Sequence, residues 1–437
     1  MTVAERSMAL ALRGLNRLAG SEVMDRLGIR APAERFVYRA TRDGFRVAGQ
    51  AARSFSAVQK LGKPARLKPT KERELFDLTP DDEQQMLVEA FLDFANERLR
   101  KIAGEAESTG LSEELANEAN ELGLTMLGVP EEAGGAVSER SSVTSVLAAE
   151  ALAYGDAGLT VALLAPAGVA TALSLWGDAD QQSKYLTPFT SEDVPVAAVA
   201  FAEPRALFDP LKPETTARST ADGFVLNGVK SAVPRAGDAE LLVVSALLEG
   251  RGPALFIVET KTEGVFVKED PAMGLRAAQL GQVRLENVTV PKEALLGEAD
   301  PEVFSEAIAR SRLAWAAVGA GVGKAVLDYV IPYVNERTAF GEPISHKQAV
   351  AFTVSNIGIE LEGLRLVTLR AASRADAGRS FIREAALARQ LADRYGTQIG
   401  SDGVQLLGGH GYVKEHPVER WYRDLRAVGV MDGGLLV

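Results

Sequence analysis

Between Val194 and Pro291 the sequence runs through a series of short β-rich segments, and no helical pattern interrupts them. The segments are VPVAAVAFAEP, GFVLNGVK, AELLVVSAL, ALFIVET, GVFVKE and QVRLENVTV, punctuated by Asp-Gly, Asn-Gly and Gly-Pro. β-branched and apolar runs bounded by such dipeptides read as strands joined by turns. Six or more of them without intervening helices predict an antiparallel sheet or barrel. On either side the period changes. From Thr79 to about Thr190 apolar residues recur at helical spacing, after a capping-type start at TPDDEQQ. Beyond Pro301 long helical patterns return and continue nearly to the last residue.

A chain of 437 residues, 46% hydrophobic and 24% charged, has apolar material for one large core or several coupled ones. It has no cysteine, which removes disulfides, thiolate metal sites and cysteine nucleophiles together. His346, His410 and His416 are its only histidines, so a zinc or triad-type hydrolase is not expected. The net charge of −11 repels a phosphate backbone, and nucleic acid is set aside as a partner.

The charge is unevenly spread. Residues 1–74 hold 16 Lys+Arg against 7 Asp+Glu, which leaves the remainder near −20. Two amphipathic helical patterns are expected there, from Met8 to about Leu27 and from about Glu34 to Leu61, followed by the basic linker GKPARLKPTKERE. They read either as a membrane-surface anchor or docking arm, or as a hairpin packed on the protein's own oligomer. Any membrane contact is assigned to these helices alone. Deletion of residues 1–74 is expected to leave a folded remainder. No run of eighteen apolar residues occurs, and Glu5 precedes an arginine-broken apolar stretch, so a cytoplasmic location is expected.

The glycine-rich GAGVGK at Gly319–Lys324 invites a phosphate-loop reading, but a helical pattern precedes it where a strand is required, and Ala325 replaces the Ser/Thr. It reads as small residues permitting close helix packing. No G-x-S-x-G elbow is present.

Three blocks carry a more specific signal. NERTAFGEPISHKQ (Asn335 to Gln348) offers an arginine whose planar fork suits pyrophosphate oxygens. GVQLLGGHGYVKEHPVERWYRD (Gly403 to Asp424) places glycines at 408, 409 and 411, where backbone N–H groups can turn toward an anion. DGFVLNGVK (Asp222 to Lys230) leads to GLRAAQLGQVRLENVTVPKEALLG. Together these resemble the acyl-CoA dehydrogenase family over about residues 76–437.

The resemblance implies an α+β multidomain fold: an N-terminal α-helical domain (76–193), a middle antiparallel β-barrel (194–298) and a C-terminal four-helix bundle (299–437). Residues 1–75 stand outside it as a basic helical extension and linker. It implies FAD as cofactor, met by Arg337, Phe340, Gln348, Gln405, Gly408 and Gly409, with the last three residues of that set reaching a flavin held by a neighbouring subunit. A homodimer or tetramer is implied, with a hetero-oligomer as the alternative. It implies an acyl-CoA substrate, contacted by Arg312, and an electron-transfer flavoprotein as electron acceptor. Glu419, Arg420, Arg423 and Asp424 are expected to form a structural salt-bridge network.

Several positions depart from the family pattern. AEPRALFD stands where a Thr/Ser-Glu-Pro-Gly-x-Gly-Ser-Asp loop lies over flavin and substrate, with Ala202, Arg205, Leu207 and Phe208 as replacements. Ala232, Val233 and Pro234 replace Trp-Ile-Thr, whose threonine holds the isoalloxazine N5 edge. MDGGLLV replaces Y-E-G-T-x-x-I, which sets Asp432 at the catalytic glutamate and Gly434 at a flavin-contacting threonine. The alternative base position of some branches is Ser311 here. Two readings follow: an acyl-CoA dehydrogenase with Asp432 as base, or a catalytically weakened partner subunit completing another subunit's flavin site.

Overall fold

The computed structural model describes residues 64–70 and 78–437, apart from 136 and 192. The two helices expected before Leu61 lie outside the described residues.

The helical domain holds α1 (Asp82–Phe94), α2 (Arg100–Thr109), α3 (Glu113–Glu121), α4 (Ser142–Ala153) and α5 (Ala157–Trp176). The TPDDEQQ start forms a capping box: Asp81 accepts the Gln84 N–H at 2.9 Å, and the Gln84 side chain accepts the Asp81 N–H at 3.1 Å. By length and apolarity α5 would pass for a membrane span, but 89% of its most apolar window is buried in the protein, which makes it a core helix.

The middle domain is a sheet of β1 (Ala197–Ala200), β2 (Thr216–Ser219), β3 (Gly223–Val233), β4 (Leu241–Leu248), β5 (Gly252–Glu259), β6 (Val265–Glu269), β7 (Gly281–Pro291) and β8 (Leu295–Leu296). The strands follow the order β6-β7-β3-β2-β4-β5-β8, with β1 also on β4. Pairing is antiparallel except that β1 and β2 both lie parallel to β4. β2 and β8 are absent from the strands read in the sequence, because β2 buries only Ala217 and β8 is two residues long. The Asn227–Gly228 dipeptide, read as a turn signal, lies inside β3 at a bulge against β7. Glycine is needed there because a Cβ would stand 2.4 Å from Thr215 Oγ1.

LLVVSALL in β4 does not alternate, since both faces of the strand are covered. Leu242 and Val244 join the sheet's own core, while Leu241 and Val243 join a second core with Val169 and Leu173 of α5.

The C-terminal domain contains α6 (Pro301–Glu336), α7 (Gln348–Asp376), α8 (Ile382–Leu407) and α9 (Val418–Val428). GAGVGK sits within α6. A Cβ on Gly321 would lie 2.1 Å from the Glu150 carbonyl, so the small residues permit the close crossing of α4. The Asp376 carboxylate at the end of α7 accepts the N–H groups of Ser142 (2.6 Å) and Val143 (3.0 Å), capping α4 from another domain.

The 419–424 network is present: Arg423 binds Glu419 at 2.9 Å and Glu107 at 2.6 Å, and Arg420 faces Asp156 at 3.3 Å. Asp424 accepts the Leu275 N–H at 2.7 Å, so the cluster joins all three domains. Burial raises the Asp156 and Asp424 carboxyls to about 6 and about 7.

The described part of the basic linker is a docked strap. Arg66 donates to the carbonyl oxygens of Gly177 (2.6 Å) and Ser174 (3.3 Å) at the C-terminal end of α5, where a cation also meets the helix dipole. The Thr70 N–H donates to Asp376 O at 3.0 Å. A truncate lacking residues 1–63 keeps the strap and serves as the reference. Deletion through residue 74 should still leave a folded remainder but cost about 1.5–3 kcal/mol, the size of a hydrogen bond to a charged group. Equal midpoints in calorimetry for the two truncates would show that the strap contributes nothing.

Candidate functional site

Asp432 follows α9 and lines a mouth of about 290 Å³. Arg312 of α6, Arg389 and Asp393 of α8, and Phe208 and Asp209 of the loop after β1 line it. Arg389 Nη2 donates to Gly429 O at 2.6 Å, which fixes the guanidinium beside the turn leading to Asp432. Burial pushes the Asp432 carboxyl above the ordinary aspartate range, with the charges of Arg389 and Arg312 opposing the shift. Burial likewise lowers Arg389. Arg312 Nε is buried without a hydrogen-bond partner among the described residues. A carboxyl raised above its ordinary range beside two guanidinium groups is suited to removing a proton next to a group that takes up negative charge.

The loop over the mouth hangs on a buried ion pair. Lys230 of β3 is 0% exposed, and its Nζ donates to Glu203 Oε1 at 2.8 Å, Ser245 Oγ at 2.9 Å and Phe201 O at 3.3 Å. The Glu203 carboxylate also accepts from Thr215 Oγ1 at 2.7 Å and from the N–H groups of Glu214 and Thr215 at 2.8 and 2.9 Å. Both ends of the 203–214 loop are thereby pinned. Leu207, at φ 54° and 98% exposed, marks its tip.

The residues matched to nucleotide binding lie elsewhere, and none of them lines the mouth. Arg337, Phe340, Gln348, Gln405, Gly408 and Gly409 are all exposed. Phe340 sits in the hairpin of β9 (Thr338–Ala339) and β10 (Glu342–Pro343), 96% exposed at φ 58°. Tyr333 Oη lies 2.9 Å from His410 Nδ1 and donates to Leu407 O at 3.4 Å, which brings the end of α6, just before Arg337, against the Gly408–Gly409 turn. A Cβ at either glycine would meet nothing within 4 Å, so the turn presents an open backbone surface.

Sequence reasoning missed Arg389 and Asp393. Their spacing of four places both on one face of α8, but only the packing of the Gly429 turn shows which face. It also missed the aromatic cleft beside the Gly-Gly turn. There Tyr329 Oη meets His416 Nδ1 at 2.7 Å, and the rings of His410 and His416 stack with centroids 5.5 Å apart. Tyr329 and Tyr333, one helical turn apart in α6, were its signal in the sequence.

The sequence matches three family models in order: acyl-CoA dehydrogenase N-terminal domain over residues 81–193, middle domain over 198–288 and C-terminal domain over 302–434. The mitochondrial short-chain specific acyl-CoA dehydrogenase of Homo sapiens is 32% identical over 362 residues, spanning 80% of this chain and 86% of that protein. The solved structure of butyryl-CoA dehydrogenase from Megasphaera elsdenii is similar with a TM-score of 0.74 at 28% identity, covering 81% of this chain and 95% of that one. The structure of PigA with FAD and proline gives 0.74 at 25% identity, covering 81% and 94%.

Proposed function

The chain belongs to the acyl-CoA dehydrogenase family, oxidoreductases acting on CH–CH bonds, and we propose that it desaturates an acyl-CoA thioester between its α and β carbons with FAD as cofactor. The observation that carries this reading is Asp432, a carboxyl of raised pKa beside Arg312 and Arg389 in an open mouth.

The residues fit the two halves of FAD differently. The nucleotide half fits: Arg337, Gln405, Gly408 and Gly409 form an exposed surface whose guanidinium and backbone N–H groups suit a diphosphate, with Phe340 and Gln348 at the adjoining hairpin and helix start. That surface faces outward, which supports a homodimer or tetramer in which it holds the nucleotide of a neighbouring subunit's flavin. The ring half does not fit. Pro234 and Gly434, both matched to positions on the ring, lie too close for one to be seated, because even a Cβ added to Gly434 would stand 3.1 Å from Pro234 Cγ. A flat ring between them needs about 7 Å, two contact distances of roughly 3.5 Å.

The chain's own part is the proton. Asp432, ionised, takes the α-proton, while the pair left on the α carbon delocalises toward the thioester carbonyl under the field of Arg312 and Arg389. Phe208, Asp209 and Pro210 line the side of the mouth formed by the loop after β1. The test is turnover of acyl-CoA substrates with a dye electron acceptor, together with FAD retention. Arg337→Ala should weaken FAD binding by on the order of 10–100-fold, from about 1.5–3 kcal/mol for a charge-assisted hydrogen bond. Unchanged retention through dialysis would remove Arg337 from the nucleotide site.

A further inference from the structure

The junction of the three domains encloses more carboxyl groups than its cations engage. Asp156, the N-cap of α5, and Asp424 of α9 are each 2% exposed. Asp156 accepts the Leu159 N–H at 2.9 Å, and Asp424 accepts the Leu275 N–H at 2.7 Å from the loop before β7. Glu107 of α2 and Glu419 of α9 complete the carboxyl side of the cluster. These two occupy Arg423, which meets Glu107 at 2.6 Å, binds Glu419 through Nε at 2.9 Å and Nη2 at 3.1 Å, and donates to Met273 O at 3.1 Å. Arg276, on the loop before β7, is exposed and acts on Glu107. Arg100 of α2 lies over the Tyr154 and Trp421 rings, 4.1 and 5.5 Å from their centroids, and donates to Tyr154 O at 2.6 Å. Arg420 is left to face both buried aspartates. Its Nε stands 3.3 Å from Asp156 Oδ2, an ion pair without hydrogen-bond geometry.

We propose that Asp156 and Asp424 hold one proton between them in the folded protein at neutral pH, which makes the three-domain junction a lock that tightens on acidification. One guanidinium can offset one buried carboxylate. A second carboxylate, cut off from water beside the first, is less costly as the neutral acid. The charge favours Asp156, which has both Arg420 and the N-terminus of α5 to stabilise it. Asp424, which forms no ion pair among the described residues, is the better holder of the proton. Unfolding returns both side chains to water, where aspartate ionises near about 4. The folded protein therefore binds the extra proton, and this contribution to stability falls as pH rises from there and levels off above the Asp424 value of about 7. The lock lies where α9, which leads into the Gly429 bend, meets the other two domains. It requires neither cofactor nor substrate.

The test is denaturant unfolding of the full chain from about pH 5 to about pH 8, with wild type beside Asp424→Asn and Asp156→Asn. Asparagine is close in shape to the protonated acid and caps a helix about as well as aspartate does. Either substitution leaves a single carboxyl facing Arg420 and removes the need for the proton. Relative to each variant, the wild-type unfolding equilibrium constant should rise by about tenfold per pH unit between about pH 5 and pH 6.5, as one linked proton requires, and then level off. Taking the ratio cancels other raised carboxyls, such as Asp432 and Asp376, which titrate alike in all three proteins. A flat ratio across the range for either variant overturns the proposal, since the proton would then not belong to this pair. Failure of either variant to fold at about pH 5 also overturns it, because there the amide only replaces a neutral acid.

Discussion

In flavin-loaded protein, Asp432→Asn is expected to lower acyl-CoA turnover by on the order of 10²–10⁴-fold, the usual contribution of a positioned general base. Folding and FAD retention should be unaffected, because the Asp432 side chain faces the mouth and the hydrogen bonds of this turn run through Gly429, Gly433 and Gly434. The sign with pH follows from the raised carboxyl. The base works only when ionised, so wild-type kcat/KM should climb as pH rises through a midpoint above the ordinary aspartate range. That limb should be missing in Asp432→Asn. Asp432→Glu tests reach: the longer side chain carries the carboxylate roughly 1–1.5 Å into an open mouth, and since about 1 Å of misplacement can cost on the order of a hundredfold, turnover should rise. Substantial turnover surviving Asp432→Asn would take the base away from this residue.

Lys230→Met should have the largest effect on stability, about 3–5 kcal/mol, because it leaves the Glu203 carboxylate buried without its counter-charge. Burial pushes Glu203 up, but in the wild type the charge and hydrogen bond of Lys230, with the Thr215 and Glu214 N–H groups, outweigh burial and hold it below the usual range. Its contribution is therefore present above the unfolded carboxyl pKa and lost as pH falls through the lowered folded value. In Lys230→Met burial prevails and Glu203 rises above its unfolded value, so the variant gains relative stability as pH falls. The gap between the two proteins should be widest at neutral pH and should narrow toward pH 4 in denaturant titrations. A constant gap across that range would mean that lost packing, not the stranded carboxylate, sets the cost. The same variant should loosen the 203–214 loop over the mouth.

The element types were legible in the sequence because they depend on local periodicity. A 3.6-residue repeat before Thr190 and after Pro301, with short apolar runs between them, separates helices from sheet without knowledge of any partner. The residues proposed to meet the nucleotide could be singled out for a similar reason, since glycines 408 and 409 and the Arg337 hairpin are short contiguous motifs whose backbone chemistry travels with them. Asp432 was singled out by its place in such a motif, and the burial that raises its carboxyl is a property of the assembled mouth.

What only the tertiary structure decided are the contacts between distant segments. Leu435, Leu436 and Val437 read as three apolar residues whatever surrounds them. Their burial follows from Gly434 meeting Val199, 235 residues earlier, and from Arg310 reaching Val437 across 127 residues. Arg389 joins Asp432 only because α8 turns that face to the Gly429 bend. The linker at Arg66 becomes a strap only where the end of α5 exposes carbonyl groups to receive it. β2 is a strand because β3 and β4 flank it, not because of its own residues. Local sequence sets each segment's conformational preference, but which segment fills a given space is settled by close packing and hydrogen-bond satisfaction among all of them at once.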